Sequence, residues 1–321
     1  MRNKAKVFVT RKLPIDVETR LLRDYDAQLN TDDGQYSPAD IIEQAQGADA
    51  ILCTPTESLR ADTINALPKS VKIISTFSVG YDHIDAQAAS ASNIKIGNTP
   101  DVLTDATADI ALLCMLGAAR LAHSTSEVLR KGNWKRWSPT EFLGTHMTGK
   151  RLGVLGMGRI GQAVARRAKG FDMTIHYYNR TELPVDKSQG AIYHKSAESL
   201  LYKSDFLSIN CPLTPETHHF LCKERINMLP DGAVVVNTAR GPVIHDDDLI
   251  AALKSGKIAA AGLDVFEGEP DINPGYLNLA NVFLLPHIGS ATVETRNAMG
   301  FRALDNLDAF FAGATLPSAV N

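Results

Sequence analysis

The sequence predicts an α/β protein built of two doubly wound parallel sheets with helices on their faces. Three observations predict it. Apolar runs of strand length alternate with amphipathic stretches, as parallel strands alternate with covering helices. The alternation occurs twice, over about the first hundred residues and again from Lys150. In the second half the runs are continuously apolar, which suits strands buried on both faces. A chain of 321 residues has room for two domains at about 150 residues each.

The elements follow in order. Lys6–Thr10, Ala50–Cys53 and Lys72–Thr76 read as strands, with amphipathic helices at Pro14–Tyr25 and Pro38–Gln46. Thr104–Lys131 reads as one long helical pattern, closed by Gly132 and a tryptophan-bearing loop, NWKRWSP. Six strand runs come next: Arg151–Leu155, Thr174–Tyr178, Phe206–Cys211, Ala233–Thr238, Ala259–Val265 and Val282–Leu285. Six is the number expected of a dinucleotide-binding sheet. After Pro286 one more helix runs from about Thr292 to Phe311. The expected division is therefore 104–286 as one domain, with 1–103 and 287–321 together as the other.

Composition narrows the function classes. The chain carries 33 Lys+Arg against 36 Asp+Glu, a net charge of −3, and 21% charged residues. That profile belongs to a globular protein and argues against a disordered chain or a nucleic-acid binder with a basic excess. The start, MRNKAKVFVT, lacks a secretory pattern, and Ile110–Ala119, between Asp109 and Arg120, is too short to span a bilayer. Cys53, Cys114, Cys211 and Cys222 show neither a C-x-x-C pair nor zinc spacing, so they read as buried or incidental thiols and no metal is expected. A cytoplasmic protein without membrane or nucleic-acid partners is the expectation.

The segment LGVLGMGRIGQAVARRA places Gly156, Gly158 and Gly161 between an apolar strand and a helical pattern. Gly156 would allow the tight turn, Gly158 the approach of a pyrophosphate, and Gly161 close packing of helix on strand. Free N–H groups at the helix start would then face the phosphates. A dinucleotide that lacks a 2′-phosphate is usually held by an acid about 20 residues beyond the glycines. Here the strand ends Tyr177-Tyr178-Asn179-Arg180-Thr181, with no carboxylate. Arg180 offers a planar donor fork to a 2′-phosphate, with Asn179 and Thr181 as neutral donors, so NADPH is expected over NADH.

Three segments at the ends of later strands carry further chemistry: Asn237–Gly241, Gly262–Pro270 and Pro286–Ser290. Ligands of open parallel sheets bind beyond the carboxyl ends of the strands, so these segments should converge on the cofactor.

Taken together, STFSVGYDHID (75–85), LGVLGMGRIGQAVARRA (152–168), VVNTARGPVI (235–244), GLDVFEGEP (262–270) and LPHIGSAT (285–292) occur in an order that resembles the D-isomer-specific 2-hydroxyacid dehydrogenases, especially their glyoxylate/hydroxypyruvate reductases. The likeness runs from Lys6 to the C-terminal helix. It implies a Rossmann-type cofactor domain, a flavodoxin-like substrate domain, a cleft between them that closes before hydride transfer, and an Arg–Glu–His catalytic set. On this chain the set is Arg240, Glu269 and His287. His287 would give a proton to the developing alkoxide, since imidazole titrates near neutrality. Glu269 would orient the ring and stabilise its cation. Arg240 would hold the substrate carboxylate and carbonyl oxygen.

The resemblance also implies cofactor contacts from Thr107, Arg159, Ile160, Cys211, Pro212, Thr217, Thr238, Ala239, Asp264, His287 and Gly289, with Asp264 beside the nicotinamide. Backbone N–H groups at Val79 and Gly80 would bind the substrate carboxylate. A homodimer is implied, with Trp137 reaching the neighbouring subunit's site, although a packing tryptophan fits the same residue. Within the class, an NAD-linked D-lactate- or D-3-phosphoglycerate-type dehydrogenase stays open. So does a cofactor-binding, corepressor-like interaction module.

Other clusters have plainer readings. His218 and His219 are adjacent, and adjacent side chains point apart in most backbones, which makes a poor metal pair. Asp246, Asp247 and Asp248 favour the start of a helix. Arg166 and Arg167 read as a solvated helix face.

Overall fold

In a computed structural model that describes residues 4–321, the chain divides into two units: residues up to Leu103 with Ser290–Asn321, and Thr104–Gly289. The first unit holds strands β1 (Lys6–Val9), β2 (Asp26–Gln28), β3 (Ala50–Cys53), β4 (Ile73–Thr76) and β5 (Lys95–Gly97). All pairings are parallel, in the order β2-β1-β3-β4-β5, the doubly wound order of flavodoxin-like sheets. Every residue of β3 and β4 is buried, as their unbroken apolar runs require. Helices α1 (Ile15–Asp24), α2 (Pro38–Gln44), α3 (Ala61–Ala66) and α4 (Ala86–Ala91) connect them. Ser37 and Asp40 close a reciprocal capping box at the start of α2. The short edge strands β2 and β5, DAQ and KIG, have no apolar run and escape a reading by pattern.

In the second unit the Thr104–Lys131 pattern is two helices, α5 (Thr104–Ala119) and α6 (Ala122–Arg130), bent by 65°. Leu121 turns the chain with φ +52°, and the N–H of Thr145 donates to the Ala119 carbonyl at 2.7 Å, closing the end of α5. A long periodic pattern cannot reveal a break made by a residue distant in sequence. Among the described residues no single helix is long and apolar enough to cross a membrane. The strands are β6 (Arg151–Leu155), β7 (Thr174–Tyr178), β8 (Ile192–Tyr193), β9 (Phe206–Ile209), β10 (Ala233–Asn237), β11 (Ile258–Leu263) and β12 (Val282–Leu284). Their helices are α7 (Arg159–Ala168), α8 (Val185–Ser188), α9 (Ala197–Leu201), α10 (Lys223–Met228) and α11 (Asp246–Ser255).

The parallel order is β8-β7-β6-β9-β10-β11-β12. Seven strands replace the six expected. The two-residue β8 takes the third place of the 3-2-1-4-5-6 order, and β12 extends the sheet by one. Two residues leave no periodicity to detect.

Helix α5 lies directly on β11: a Cβ at Gly262 would stand 2.4 Å from the Cys114 carbonyl oxygen. Arg166 and Arg167 do not simply face solvent. Both reach Asp105 at 2.9 Å, and Arg167 also reaches Asp109 at 2.6 Å, tying α7 to α5. The remaining helix, α12 (Val293–Phe311), is capped by the Thr292 hydroxyl, which accepts the N–H of Thr295. It packs on β4 of the first unit, where Ser75 Oγ donates to the Ala303 carbonyl at 2.8 Å.

Candidate active site

The turn from β6 to α7 is shaped by its glycines. Gly156 sits at φ +92°, where other residues are strained, and a Cβ there would stand 2.7 Å from the Cys211 nitrogen. A Cβ at Gly161 would stand 2.3 Å from the Gly156 carbonyl oxygen. At Gly158 nothing lies within 4 Å, so open space faces the start of α7, where Gly158 provides no side-chain cap. The first N–H groups of a helix have no acceptor within the helix itself, and beside open space they form a cradle for anionic oxygens. Arg159 is exposed and Ile160 half-buried at this helix start.

At the end of β7, Arg180 and Thr181 are exposed and no carboxylate is present in Tyr178–Thr181. Asn179 has a task that its sequence context did not suggest. Its carboxamide oxygen accepts the Met157 N–H at 2.7 Å, holding the glycine turn against β7.

Beyond β9, the Cys211 thiol is buried and its pKa is raised by that burial to about 11, so it is a neutral, apolar neighbour of the turn. Pro212 is exposed, and Thr217 Oγ1 donates to its carbonyl at 2.7 Å. Two buried atoms at this edge of the sheet have no hydrogen-bond partner, Asn210 Oδ1 after β9 and Thr238 Oγ1 after β10. Buried polar atoms without partners are rare in folded proteins, so these orphans, with the open glycine cradle, fit a polar ligand such as a dinucleotide.

The ends of three adjacent strands carry the Arg–Glu–His set. Arg240 follows β10. The buried Asn237 fixes that turn: its oxygen accepts the Ala239 N–H at 3.0 Å, and its nitrogen donates to the Arg240 carbonyl at 2.8 Å. Sequence reading took Asn237 only as part of a strand end. The next residue, Gly241, is pressed against the segment after β11, where a Cβ would stand 1.8 Å from the Phe266 carbonyl carbon. That segment carries Glu269, whose Oε2 accepts the Phe266 N–H at 3.2 Å.

His287 follows β12 at φ +53°, and its Nδ1 lies 2.6 Å from Glu269 Oε1. Asp264 braces the same turn. Its carboxylate is almost wholly buried and accepts the N–H groups of Ile288 and Gly289, each at 2.7 Å. Burial raises the Asp264 pKa, opposed by the Ile288 N–H and by His287. Both carboxylate oxygens are therefore engaged by the backbone beside His287. Thr107 Oγ1 donates to the Gly289 carbonyl at 3.2 Å, which brings α5 to this turn.

In the first unit, the loop after β4 presents its amides in one sense. The Thr99 N–H donates to the Ser78 carbonyl at 2.8 Å, and Asn98 Nδ2 donates to the Val79 carbonyl at 2.8 Å. In a trans peptide N–H and C=O point oppositely, so the N–H groups of Val79 and Gly80 face away from those donors. Asn98, which sequence reading missed, thus sets the loop's polarity from 19 residues away.

Trp134 and Trp137 are exposed, at 52% and 76%. His218 and His219 do not point apart: their rings lie 3.9 Å between centroids, because His219 adopts a left-handed conformation at φ +49°.

The chain matches the family model for the D-isomer-specific 2-hydroxyacid dehydrogenase NAD-binding domain over residues 112–289. It is 44% identical to a glycerate dehydrogenase of Hyphomicrobium methylovorum over 320 residues, 99% of each chain. It is 42% identical to a glyoxylate reductase of Thermococcus litoralis, covering 99% of this chain and 97% of the relative. Among solved structures it is similar to an NADPH-dependent glyoxylate/hydroxypyruvate reductase of Sinorhizobium meliloti, determined with NADP and malonate. That match has 32% identity and a TM-score of 0.88, over 99% of this chain and 97% of the other.

Proposed function

The chain belongs to the D-isomer-specific 2-hydroxyacid dehydrogenase family, as an NAD(P)-dependent oxidoreductase of small 2-keto or 2-hydroxy acids, and from that premise we propose a reductase of glyoxylate and hydroxypyruvate that prefers NADPH. The observation that carries the reading is the 2.6 Å contact between His287 Nδ1 and Glu269 Oε1, at the end of a sheet whose next strand but one delivers Arg240.

A bound nicotinamide supplies the hydride; the rest is work for the protein. With Nδ1 held by Glu269, the His287 ring is fixed and its Nε2 is the atom that gives the proton to the substrate oxygen. Glu269 stabilises the charged ring before transfer and keeps its orientation after it. Arg240, always charged and planar, receives the carboxylate and polarises the carbonyl, where negative charge grows. The amides of Val79 and Gly80 are assigned to the substrate carboxylate as well. Asp264 keeps the His287 turn in place through Ile288 and Gly289. The cradle at Gly156, Gly158 and Gly161 is assigned to the pyrophosphate.

NADPH is favoured by the absence of a carboxylate from Asn179–Thr181, directly after β7, and by Arg180, whose fork would meet a 2′-phosphate. The Sinorhizobium relative, named as NADPH-dependent, agrees with this choice. A homodimer is part of the reading, supported by the apolar side chains of Leu129, Trp134, Trp137 and Leu143, each more than half exposed.

The test is a steady-state panel of glyoxylate, hydroxypyruvate, pyruvate and phenylpyruvate with each cofactor. The expected result is the highest kcat/KM for the first two with NADPH. Equal efficiency with NADH would remove the cofactor preference, and no turnover of any 2-keto acid would remove the enzymatic reading in favour of a binding module.

A further inference from the structure

We propose that His218, His219 and Glu267 form a binding site for a divalent transition-metal ion of the zinc class, outside the Arg–Glu–His set. One ligand atom from each of the three residues lies within 4.8 Å of the others. His219 Nε2 stands 3.1 and 3.0 Å from the two Glu267 oxygens. Two ligand atoms about 2.0–2.1 Å from a tetrahedral ion are themselves about 3.3 Å apart, so this pair already has nearly the spacing that a shared ion needs. The third residue is brought in by backbone conformation. The left-handed turn at His219 sets the His218 ring 3.9 Å from its own, where an extended backbone would have sent the two to opposite sides.

The donor set and its surroundings select the ligand. Two imidazoles with one carboxylate suit Zn²⁺, Co²⁺, Ni²⁺ or Cu²⁺ better than Mg²⁺ or Ca²⁺, which prefer oxygen cages. Three protein ligands leave a fourth tetrahedral position for water. Glu267 also lines a cavity of about 420 Å³ whose wall includes Asp246, Asp247 and Asp271, so the local field favours a cation. His218 is exposed while His219 and Glu267 are half-buried, giving the ion a route from solvent. Ligation uses the lone pair of His219 Nε2, so the ring's one hydrogen would sit on Nδ1 and the ion would replace the direct contact with Glu267. The ion would join the loop after β9 to the segment after β11 that leads, two residues on, to Glu269.

The test uses full-length protein stripped with a chelator and titrated calorimetrically with ZnCl₂. Expected are one equivalent of zinc bound and a rise in Tm with added zinc. His218→Ala, at an exposed position, should weaken binding by about tenfold or more and shrink that rise at the same zinc concentration. Glu267→Gln should do the same, and Co²⁺ should give the visible absorption bands of a tetrahedral site in the wild type only. His287→Ala should bind zinc as the wild type does. Undiminished binding by His218→Ala, loss of binding in His287→Ala instead, or no stoichiometric binding at all would overturn the proposal.

Discussion

His287 Nδ1 and Glu269 Oε1 stand 2.6 Å apart although 18 residues separate them in sequence, and each side chain keeps more than a third of its surface exposed. The contact is not a product of burial. It is held from behind, by the Asp264 carboxylate under Ile288 and Gly289 and by the Phe266 N–H on the second Glu269 oxygen.

If that pair performs proton transfer, His287→Asn should lower kcat by about 10²–10⁴, the range for a lost general acid. Glu269→Gln should cost less, because an amide oxygen can still orient the ring but cannot stabilise its charge. In both variants cofactor affinity, read by quenching of protein fluorescence on titration with NADPH, should stay within about threefold of wild type, a shift of well under 1 kcal/mol. Parallel loss of turnover and NADPH binding would show instead that the turn as a whole had collapsed.

The glycines separate fold from ligand. Gly161→Ala drives a Cβ into the Gly156 carbonyl oxygen at 2.3 Å, and Gly241→Ala drives one into the Phe266 backbone at 1.8 Å. Neither neighbour is a side chain that can swing aside, so both variants should lose stability by about 1–3 kcal/mol or fail to fold. Gly158→Ala meets nothing within 4 Å. It should melt near the wild-type Tm, yet raise KM for the dinucleotide, because its methyl group fills the space assigned to the pyrophosphate. A normal KM in a stably folded Gly158→Ala would move the phosphate site elsewhere.

Arg180 offers a cleaner reading of the cofactor. It is exposed, so Arg180→Ala should not disturb the fold. KM for NADPH should rise about tenfold or more, as for loss of a charge-assisted hydrogen bond worth ~1.5–3 kcal/mol, while KM for NADH changes little. The Asn179 carboxamide oxygen serves Met157, so Asn179→Asp is a different experiment. It should impair binding of both dinucleotides by placing a charge under the glycine turn. Equal losses for NADPH and NADH in Arg180→Ala would count against a 2′-phosphate contact.

What the sequence made legible was whatever repeats at short range or sits in a run. The apolar strands β3, β4, β6 and β7 and the glycine turn have that character. The two-residue strand β8 and the edges β2 and β5 do not; their backbones pair because a neighbouring strand is there to receive them. The break at Leu121 depends on Thr145, and the polarity of the 79–80 amides depends on Asn98, so neither could be read from local pattern. Arg240, Glu269 and His287 are named through the family resemblance of the segments that carry them, and the fold sets two of them, His287 and Glu269, in contact. Asn237 and Asn98 work through backbone hydrogen bonds, which leave no signature in the sequence. The expectation that the His218 and His219 side chains point apart failed on one dihedral angle, which no composition reveals.

Stability should also depend on pH through a partly buried histidine pair. His176 on β7 and His194 after β8 form a hydrogen-bonded pair, Nδ1 to Nε2 at 2.9 Å, with His194 Nδ1 3.1 Å from Ser199 Oγ. Only one hydrogen can lie between the two rings, so the contact cannot survive with both imidazoles protonated. Burial pushes the pKa of both below the ordinary value of 6.5, and at His176 the neighbouring His194 adds to it. The unfolded chain then binds protons more readily than the folded one. Stability from this pair is complete above about pH 7, and is lost as pH falls from the unfolded value through the lower folded values. The urea midpoint should therefore drop as pH falls below about 7, through the ordinary histidine value and toward the lowered ones. His194→Gln removes one of the two titrating groups, so its midpoint should fall less steeply as pH drops below about 7, whatever its stability at neutral pH. A slope as steep as that of the wild type would mean that the acid sensitivity arises elsewhere in the chain.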